Sequence, residues 1–254
     1  MTFELVRTPL QNGPRRVAVA AIVDLAPGYR RIVLEGDFAG FASLGADDHL
    51  RIFFVPDGVA AEDFEQMRAF PSREYTPVAW DDSSLVLDFV IHGEGPASSW
   101  AAAAEPGAVA MVGGPRGSLV VEGRTGWRLL AGDRTALPAI RRFAAEAAPG
   151  EPVDVVLLAE DPAEEQSVES PGELSVSWVR DLDALVAAIG SLPVREGEGL
   201  VFVAAEQSVV RPARRLLLDR GVALERAIVK GYWKRGEAEY HAPHGTAAET
   251  TAVH

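Results

Sequence analysis

The distribution of apolar residues changes near residues 122–126, and no other feature of the sequence constrains the fold as strongly. Before this point, short apolar runs are separated by turns rich in Gly and Pro, a pattern typical of antiparallel strands. After it, apolar strands alternate with amphipathic helices, as in a parallel doubly wound sheet. The sequence therefore predicts an antiparallel β-barrel over residues 1–124, an α/β domain over 125–236, and a polar tail over 237–254.

The positions of the predicted elements follow from hydrophobic periodicity. In the first part, strands are predicted at residues 16–23, 30–35, 50–55, 73–80, 85–91, 109–112 and 118–121. A short alanine-rich helix is predicted at residues 100–104, with Ser98 or Ser99 as its N-cap. In the second part, strands at 127–131, 153–159, 175–179, 200–205 and 227–231 alternate with helices at 135–147, 181–189 and 208–219.

Composition excludes several classes of function. The 254 residues include no cysteine, so the chain has no disulfide framework, thiolate metal site or iron–sulfur cluster. The formal net charge of −13 argues against nucleic acid and anionic membranes as partners. No apolar run approaches the ~20 residues of a membrane helix, and residues 1–11 lack the pattern of a secretory signal. We therefore expect a cytoplasmic protein.

The segment Arg73-Glu74-Tyr75-Thr76-Pro77 combines a cation, an aromatic ring and a hydroxyl group. Alternate side chains of a strand share a face, so Arg73 and Tyr75 are expected to point together. A planar cofactor that carries phosphate fits this arrangement, because arginine binds phosphate, tyrosine packs on a ring face and threonine can hydrogen-bond a ring nitrogen. An ordinary exposed strand is the alternative interpretation.

A glycine-rich turn at residues 93–95 joins the strand at 85–91 to the alanine-rich helix. A helix that begins after such a turn presents backbone N–H groups and the positive end of its dipole, which suits a pyrophosphate. A plain turn before a helix is the alternative. We interpret His92, at the start of this turn, as a turn or packing residue and not as a catalyst.

Five segments, in this order, resemble the siderophore-interacting proteins, which are ferredoxin-reductase-like flavoproteins. They are Arg-x-Tyr-Thr at 73–76, His-Gly-x-Gly-Pro-Ala-Ser-x-Trp at 92–100, Gly-Pro-Arg-Gly at 114–117, Leu-Ala-Gly-Asp-Arg-Thr-Ala-Leu-Pro-Ala-Ile at 130–140 and Lys-Gly-Tyr-Trp-Lys-Arg-Gly at 230–236. The resemblance extends over roughly residues 15–236. It implies that the barrel binds FAD and that the α/β domain binds NADPH or NADH.

The resemblance also implies an activity and a set of residues. The activity is reduction of a ferric siderophore to release Fe(II), with electrons supplied by NAD(P)H or by a carrier of the ferredoxin type. No catalytic acid, base or resident metal is expected, since transfer of single electrons to the iron requires none. The residues implied for FAD are Arg73, Tyr75, Thr76, Val90, His92, Gly95, Pro96, Ala97, Ser98, Trp100 and Trp233.

An anionic ferric siderophore would need a local basic patch, because the chain as a whole is negatively charged. The candidates for such a patch are Arg51, Arg116, Lys230, Lys234 and Arg235. The alternative is that these side chains extend into solvent at the ends of strands and bind no ligand, with Lys234 and Arg235 paired to Glu237 and Glu239.

The predicted α/β domain has no Gly-x-Gly-x-x-Gly motif. Its first strand ends instead at Gly132 and Asp133, and Thr135 can cap the next helix, which leaves a helix N-terminus for a dinucleotide diphosphate. Glu160 and Asp161 follow the second strand, where an acidic residue favours NADH because it can bond the ribose 2′-hydroxyl and repel a 2′-phosphate. Arg211, Arg214 and Arg215 could supply the opposite preference.

Three departures from the family pattern leave the substrate and donor open. Arg134 occupies a position that is commonly acidic, Arg51 stands where lysine is typical, and residues 77–79 lack a further basic residue. Two other functions therefore stay possible: a flavin-dependent reductase of another acceptor, and a protein that binds FAD or a ferric chelate without turnover.

Overall fold

The computed structural model describes residues 2–55, 64–93, 95–193 and 195–237. Contacts divide the chain into two compact units, one formed by residues 7–120 and the other by residues from 121 onward together with the first six. Each unit is described by itself. The predicted tail lies outside the described residues except for Glu237. Within the described ranges, no helix is both long and apolar enough to cross a bilayer.

The first unit is built from antiparallel strands. The elements up to residue 123 are β1 (Phe3–Pro9), β2 (Arg15–Ala26), β3 (Tyr29–Gly36), β4 (Leu50–Phe54), α1 (Phe64–Met67), β5 (Ser72–Tyr75), β6 (Pro77–Trp80), β7 (Ser84–Val90), α2 (Pro96–Ala103), β8 (Val109–Gly113) and β9 (Gly117–Gly123). Seven strands form one sheet in the order β5-β4-β8-β2-β3-β7-β6, and β1 pairs with β9 in a separate two-stranded sheet.

The seven-stranded sheet curls because of its connectivity. Strands β5 and β6 lie at its opposite edges, yet only Thr76 separates them in the chain. The two edges must therefore approach each other, as in a barrel. The prediction of one continuous strand at 73–80 was wrong for this reason: the chain leaves one edge at Tyr75 and joins the other at Pro77, whose missing N–H suits an edge strand.

Side chains on the inner face of this sheet form the core of the first unit. Ile32, Leu34, Leu85, Leu87 and Phe89 are fully buried, and they come from the paired strands β3 and β7. Helix α2 packs on the core through two buried alanines. The antiparallel barrel predicted from the many short strands is thus confirmed, in the form of a curled antiparallel sheet, or half-barrel.

Helix α2 begins earlier than predicted and has a different N-cap. It starts at Pro96, its N-cap is Gly95, and no side chain caps it. Proline fits the first helical position because its missing N–H would have no intrahelical partner there. Neither Ser98 nor Ser99 caps the helix. The Ser98 hydroxyl instead accepts a hydrogen bond of 2.8 Å from the His92 amide, which fixes the preceding turn.

The second unit alternates strands and helices. Its elements are β10 (Trp127–Asp133), α3 (Leu137–Ala145), β11 (Pro152–Leu158), β12 (Glu173–Val179), α4 (Leu182–Ser191), β13 (Gly199–Glu206), α5 (Val210–Asp219) and β14 (Ala227–Trp233). The strands form a parallel sheet in the order β12-β11-β10-β13-β14. The predicted doubly wound sheet is confirmed, and the order reverses after β12, so that β13 joins the sheet beside β10.

Two short 3-10 helices replace the first turns of two predicted helices. Residues Arg134–Ala136 precede α3, and residues Gln207–Val209 precede α5. In both cases a carboxylate at the end of the preceding strand accepts from a backbone N–H two residues later, which tightens the turn. The carboxyl ends of the strands, where doubly wound folds bind ligands, are therefore shaped by acidic side chains.

Candidate cofactor and substrate sites

Strand β5 sets the orientation of the candidate FAD residues in the first unit. Its register with β4 places Arg73 opposite Ile52 and Tyr75 opposite Leu50, whereas Glu74 lies opposite Arg51. Opposed residues in an antiparallel pair share a face. Arg73 and Tyr75 therefore share the face of the buried Leu50 and Ile52, as predicted from alternation, and Arg51 lies on the other face.

The ring of Tyr75 packs against the core. Its centroid lies 4.3 Å from that of Phe89, with 39° between the rings. Burial raises the pKa of the Tyr75 hydroxyl, and the nearby Arg73 charge offsets this only in part. The hydroxyl is thus protonated at any physiological pH and is available as a donor. The Arg73 guanidinium donates to the Ser72 carbonyl at 2.7 Å, which leaves its other N–H groups for an anion.

The N-terminus of α2 has the properties of a phosphate site. No side chain caps it, its first turn contains no acidic residue, and the earliest helical amide bond runs from Ser99 to the Gly95 carbonyl at 2.8 Å. The amides of Ala97 and Ser98 precede that bond and have no carbonyl within the helix to pair with. A Cβ atom added at Gly93 or Gly95 would meet no atom within 4 Å, so the turn is open to a ligand. These features fit a diphosphate.

Phe89 brings the candidate segments of the first unit together. Its ring contacts Tyr75 on β5 and lies 5.7 Å from the Trp100 ring on α2, and Trp100 also lies 5.3 Å from the Phe54 ring. Val90 ends β7, and by alternation its side chain lies on the face opposite to that of Phe89. His92 is exposed in the turn. The ordered aromatic wall beside an open helix N-terminus fits a flavin nucleotide with its phosphates. Thr76, between the two edge strands, is buried.

The candidate substrate residues differ in their exposure and in the carboxylates that pair with them. Arg51 pairs with Glu74 at 2.8 Å, and His49 approaches the same carboxylate at 3.8 Å, so an anionic ligand of Arg51 would compete with Glu74. Arg116 is exposed. In the second unit, Lys230 is half-buried on β14, while Lys234 pairs with Glu237 at 2.6 Å, the surface arrangement weighed as the alternative.

Asp133 is the centre of a buried polar cluster that sequence reasoning did not identify as such. Its carboxylate accepts from the Thr135 amide and hydroxyl, at 2.9 and 2.5 Å. It also accepts from the Glu206 amide at 3.1 Å and from the Trp233 indole Nε1 at 2.8 Å. Burial raises the pKa of Asp133, and these donors oppose that rise. Asp133 therefore joins the ends of β10, β13 and β14.

Glu206 extends the same cluster. It accepts from the Ser208 amide at 2.6 Å and from the Arg235 amide at 3.1 Å, besides the Ser208 hydroxyl. Although burial raises the pKa of Glu206, these bonds and the Arg235 charge lower it overall. Arg235 is thus held at its backbone next to a carboxylate. Trp233, predicted from the resemblance to contact FAD, is fixed by Asp133 in an orientation that the sequence could not show.

The candidate dinucleotide residues have mainly structural partners. Gly132 is required by packing, because an added Cβ would lie 2.3 Å from the Ala204 carbonyl oxygen. Thr135 donates to Asp133 and does not cap α3, whose N-cap is Ala136. Glu160 and Arg211 are exposed, at the end of β11 and in the first turn of α5, where a ribose or phosphate could reach them.

A nearby carboxylate explains why an arginine is tolerated at position 134. Its guanidinium pairs with Glu164, and both side chains are largely buried. Glu164 belongs to the 3-10 turn at Pro162–Glu164, in which Asp161 caps the Ala163 amide at 2.8 Å and Glu164 completes a capping box. The ion pair therefore links the segments that follow β10 and β11. The basic residue at position 134 is neutralised within the chain.

Comparison with protein families covers both units. A family model described as the siderophore-interacting FAD-binding domain matches residues 18–119, and one described as the siderophore-interacting protein matches residues 125–236. The chain belongs to the siderophore-interacting protein family. The first match contains the segments around Tyr75 and α2, and the second contains Asp133 and Trp233. The family resemblance, the FAD-binding domain and the ferredoxin-reductase-like fold are confirmed.

Characterised relatives agree with this membership. The chain is 31% identical over 236 residues to the NADPH-dependent ferric-chelate reductase of Escherichia coli, covering 86% of this chain and 92% of the relative. It is 32% identical over 238 residues to the ferric vibriobactin reductase ViuB of Vibrio cholerae, covering 83% and 86%. The crystal structure of a siderophore utilization protein from T. fusca has a TM-score of 0.83 and 30% identity, covering 94% of this chain and 99% of that one.

Proposed function

We propose that this chain is an FAD-dependent NAD(P)H:ferric-siderophore reductase that releases Fe(II). The observation that carries the proposal is the open N-terminus of α2 beside the Tyr75–Phe89–Trp100 aromatic cluster, within the segment matched by the family's FAD-binding domain. Two relatives named as ferric-chelate and ferric vibriobactin reductases support the reaction class.

The residues of the first unit would hold FAD in three ways. The amides of Ala97 and Ser98 would bind the diphosphate, and Arg73 would add a charge-assisted contact to the same group. The half-buried ring of Tyr75, fixed by Phe89, would pack on a ring of the cofactor. Thr76 would hydrogen-bond at the ring edge. When bound, FAD supplies the ability to accept a hydride and to give up electrons one at a time.

The substrate of the proposed reaction is iron(III) held by an oxygen-rich chelator. Oxygen donors bind the hard ferric ion strongly and Fe(II) weakly, so one-electron reduction releases the metal and leaves the chelator intact. The chain's part is to attract and orient the complex. An anionic chelate at Arg51 or at Lys234 would have to compete with Glu74 or Glu237, which already pair with them. Arg116 is an exposed candidate in the first unit.

The donor and the location are further proposals. The acidic segment after β11 has Glu160 exposed, and the two arginines beside it are paired with carboxylates, Arg134 with Glu164 and Arg180 with Glu165. This supports NADH at least as well as NADPH. Arg211, which is exposed in the first turn of α5, is the candidate for the opposite preference. A ferredoxin-type protein is a second possible donor. We place the activity in the cytoplasm, where nicotinamide donors and the demand for Fe(II) coincide.

An acceptor comparison tests the proposal. FAD-loaded protein would be given NADH or NADPH in turn, with a ferric siderophore, ferricyanide or free flavin as acceptor, and an Fe(II)-specific dye would report released iron. Reduction of the siderophore with release of Fe(II) is the expected result. Turnover of the other acceptors without Fe(II) release would favour a general flavin-dependent reductase, and the absence of any turnover would favour a binding protein.

A further inference from the structure

Helix α2 is short, and its own residues do little to stabilise either end. It has eight residues, its N-cap is Gly95, and its last turn contains no basic residue. The residue that follows it, Ala104, has φ −58° and ψ 136°, which is not the left-handed conformation that closes many helices. Because an isolated helix of this length is unstable in water, α2 depends on groups from other elements of the first unit.

Arg30 on β3 binds the C-terminal end of α2. Its Nη1 donates to the Ala101 carbonyl at 2.9 Å and to the Ala102 carbonyl at 3.0 Å. Both belong to the last turn of the helix, where carbonyls have no partner within the helix itself. A guanidinium at this end also interacts favourably with the negative end of the helix dipole. Arg30 therefore supplies the charge and the hydrogen bonds that the last turn of α2 lacks.

Arg30 is itself held by a carboxylate. Asp24, its neighbour across the β2–β3 pair, accepts from Arg30 Nε at 2.7 Å and from Nη2 at 3.3 Å. The Arg30 side chain is only 20% exposed. The guanidinium thus connects the β2–β3 hairpin, through Nε and Nη2, to helix α2, through Nη1.

The position of Arg30 on β3 also relates α2 to the aromatic cluster. Arg30 lies opposite Phe89 in the β3–β7 pair, and opposed residues of an antiparallel pair share a face. The Phe89 ring contacts the rings of Tyr75 and Trp100. The bonds of Arg30 therefore join α2 to the strand pair that carries this cluster, and they limit how far the helix can move relative to the rings.

We propose that Arg30 is a positioning residue for FAD: by holding the C-terminal end of α2, it sets the position of the amides that bind the diphosphate at the other end. The two ends of so short a helix are not independent. The amide of Ala97 and the carbonyl of Ala101 are four residues apart, which is about 6 Å along the helix. Loss of Arg30 would allow the last turn to fray and the first turn to shift.

The charges at the two ends of α2 act on the same helix. A cation at the C-terminus and a diphosphate at the N-terminus each stabilise the aligned peptide dipoles. A helix that Arg30 already orders costs the cofactor less ordering free energy when it binds. Arg30 therefore raises the affinity for FAD without a contact to it. This role rests on the proposed function, since it requires bound FAD.

Titration of the full chain with FAD, followed by quenching of flavin fluorescence, tests this role. Arg30→Gln removes the charge and should weaken FAD binding at least about fivefold, and Arg30→Lys, which keeps the charge, should restore part of the loss. Arg31→Gln is the matched control. Arg31 is on the same strand and pairs with Asp88 at 2.7 and 2.9 Å, but by alternation it points to the other face of the sheet. This variant should lose stability and keep wild-type affinity for FAD.

A double-mutant cycle separates positioning from stability. Gly95→Asp places a carboxylate at the open amides, so that Arg30 can no longer act through them on a diphosphate. In this background, Arg30→Gln should weaken FAD binding by a much smaller factor than in the wild-type chain, whereas a loss of stability alone predicts the same factor in both. Asp24→Asn frees Arg30 from its anchor at an exposed position, and it should weaken FAD binding by a smaller factor than Arg30→Gln. It keeps the test decisive if Arg30→Gln does not fold.

The outcomes distinguish this role from the proposed function. Equal factors in the two backgrounds, or wild-type affinity in both Arg30→Gln and Asp24→Asn, would overturn the positioning role and leave FAD binding intact. An affinity that falls equally in Arg30→Gln and Arg31→Gln would also overturn it, because the effect would then follow stability. Wild-type protein that takes up no FAD would overturn the proposed function and this role together.

Discussion

A single buried carboxylate, Asp133, organises the carboxyl edge of the second unit. It accepts hydrogen bonds from Thr135, from the Glu206 amide and from the Trp233 indole, and so joins residues 100 positions apart. A carboxylate at the end of the first strand of a dinucleotide fold is readily interpreted as a ligand residue. Here its hydrogen bonds are to the protein, and its effect on a cofactor would pass through the position of Trp233.

Removal of this carboxylate should be costly. Asp133→Ala leaves four N–H and O–H donors without their acceptor, and we expect a loss of about 2–4 kcal/mol in the free energy of unfolding. The matched control is Asp161→Ala, which removes an exposed cap of a short turn and should cost about 1 kcal/mol or less. Urea denaturation followed by circular dichroism measures both. Equal losses in the two variants would show that the buried cluster is not cooperative.

Among the candidate FAD residues, Arg73 is the one whose charge can contact the cofactor most directly. Its guanidinium is anchored by one bond to the Ser72 carbonyl and lies on the face of Tyr75. Arg73→Ala should weaken FAD binding by about 1.5–3 kcal/mol, the range for a hydrogen bond to a charged group. Quenching of flavin fluorescence gives the dissociation constant. Arg68→Ala, at an exposed arginine of the same unit, should have wild-type affinity, and an unchanged constant for both variants would remove Arg73 from the site.

At the scale of elements, helix α2 is where local geometry indicates a ligand most clearly. Gly95 at its N-cap leaves the first amides without a capping side chain, although serine or aspartate there would stabilise the helix by roughly a few tenths of a kcal/mol. The sequence thus gives up helix stability at this position. An anionic ligand at the same amides restores it, because the helix dipole favours negative charge.

A substitution at this N-cap separates stability from binding. Gly95→Asp should cap α2 and stabilise the protein by about 0.5–1 kcal/mol, while the carboxylate occupies the amides and repels a diphosphate, so FAD affinity should fall at least about tenfold. Gly95→Ala adds the Cβ without the cap, and space around Gly95 permits it. Thermal unfolding and flavin titration are the two measurements. FAD affinity equal in both variants would place the diphosphate elsewhere.

Most elements could be predicted from periodicity, and the failures have identifiable causes. The parallel strands β10, β11 and β13 are continuous apolar runs, and a short run of this kind is typical of a parallel strand that is buried on both faces. The break at Thr76 was not predictable, because residues on both sides favour strand and only the order of the sheet separates them. Strand β1 was missed since its partner is β9, more than a hundred residues away, and its own pattern is weak.

The candidate site was predictable only where its residues are close in sequence. Arg73 and Tyr75 share a face as alternation requires, and the turn before α2 was found from its glycines. The pairing of Arg51 with Glu74 depends on the register of two strands, and the Asp133–Trp233 bond joins residues that lie far apart in the sequence of the second unit. Neither leaves a signal in local sequence. Long-range partners decide whether a charged residue is available to a ligand.

At the scale of the whole molecule, the choice of electron donor depends on the charges around the second unit. Glu160 and Asp161 follow β11, and Arg134 is neutralised by Glu164. We therefore expect NADH to reduce the bound flavin at least as fast as NADPH, since a 2′-phosphate meets acidic groups there. Stopped-flow absorbance with each donor measures both rates. A strong preference for NADPH would show that Arg211 or a neighbouring arginine governs the ribose site.

The most direct test of the account is an electron balance between donor and iron. Under anaerobic conditions, FAD-loaded protein would receive a limiting amount of NADH or NADPH and an excess of a ferric siderophore, with an Fe(II)-specific dye present. A two-electron donor and a one-electron acceptor predict about two Fe(II) released per nicotinamide oxidised, and no release when FAD is omitted. Oxidation of the nicotinamide without Fe(II), or Fe(II) release that does not require FAD, would contradict the assignment of this chain as a ferric-siderophore reductase.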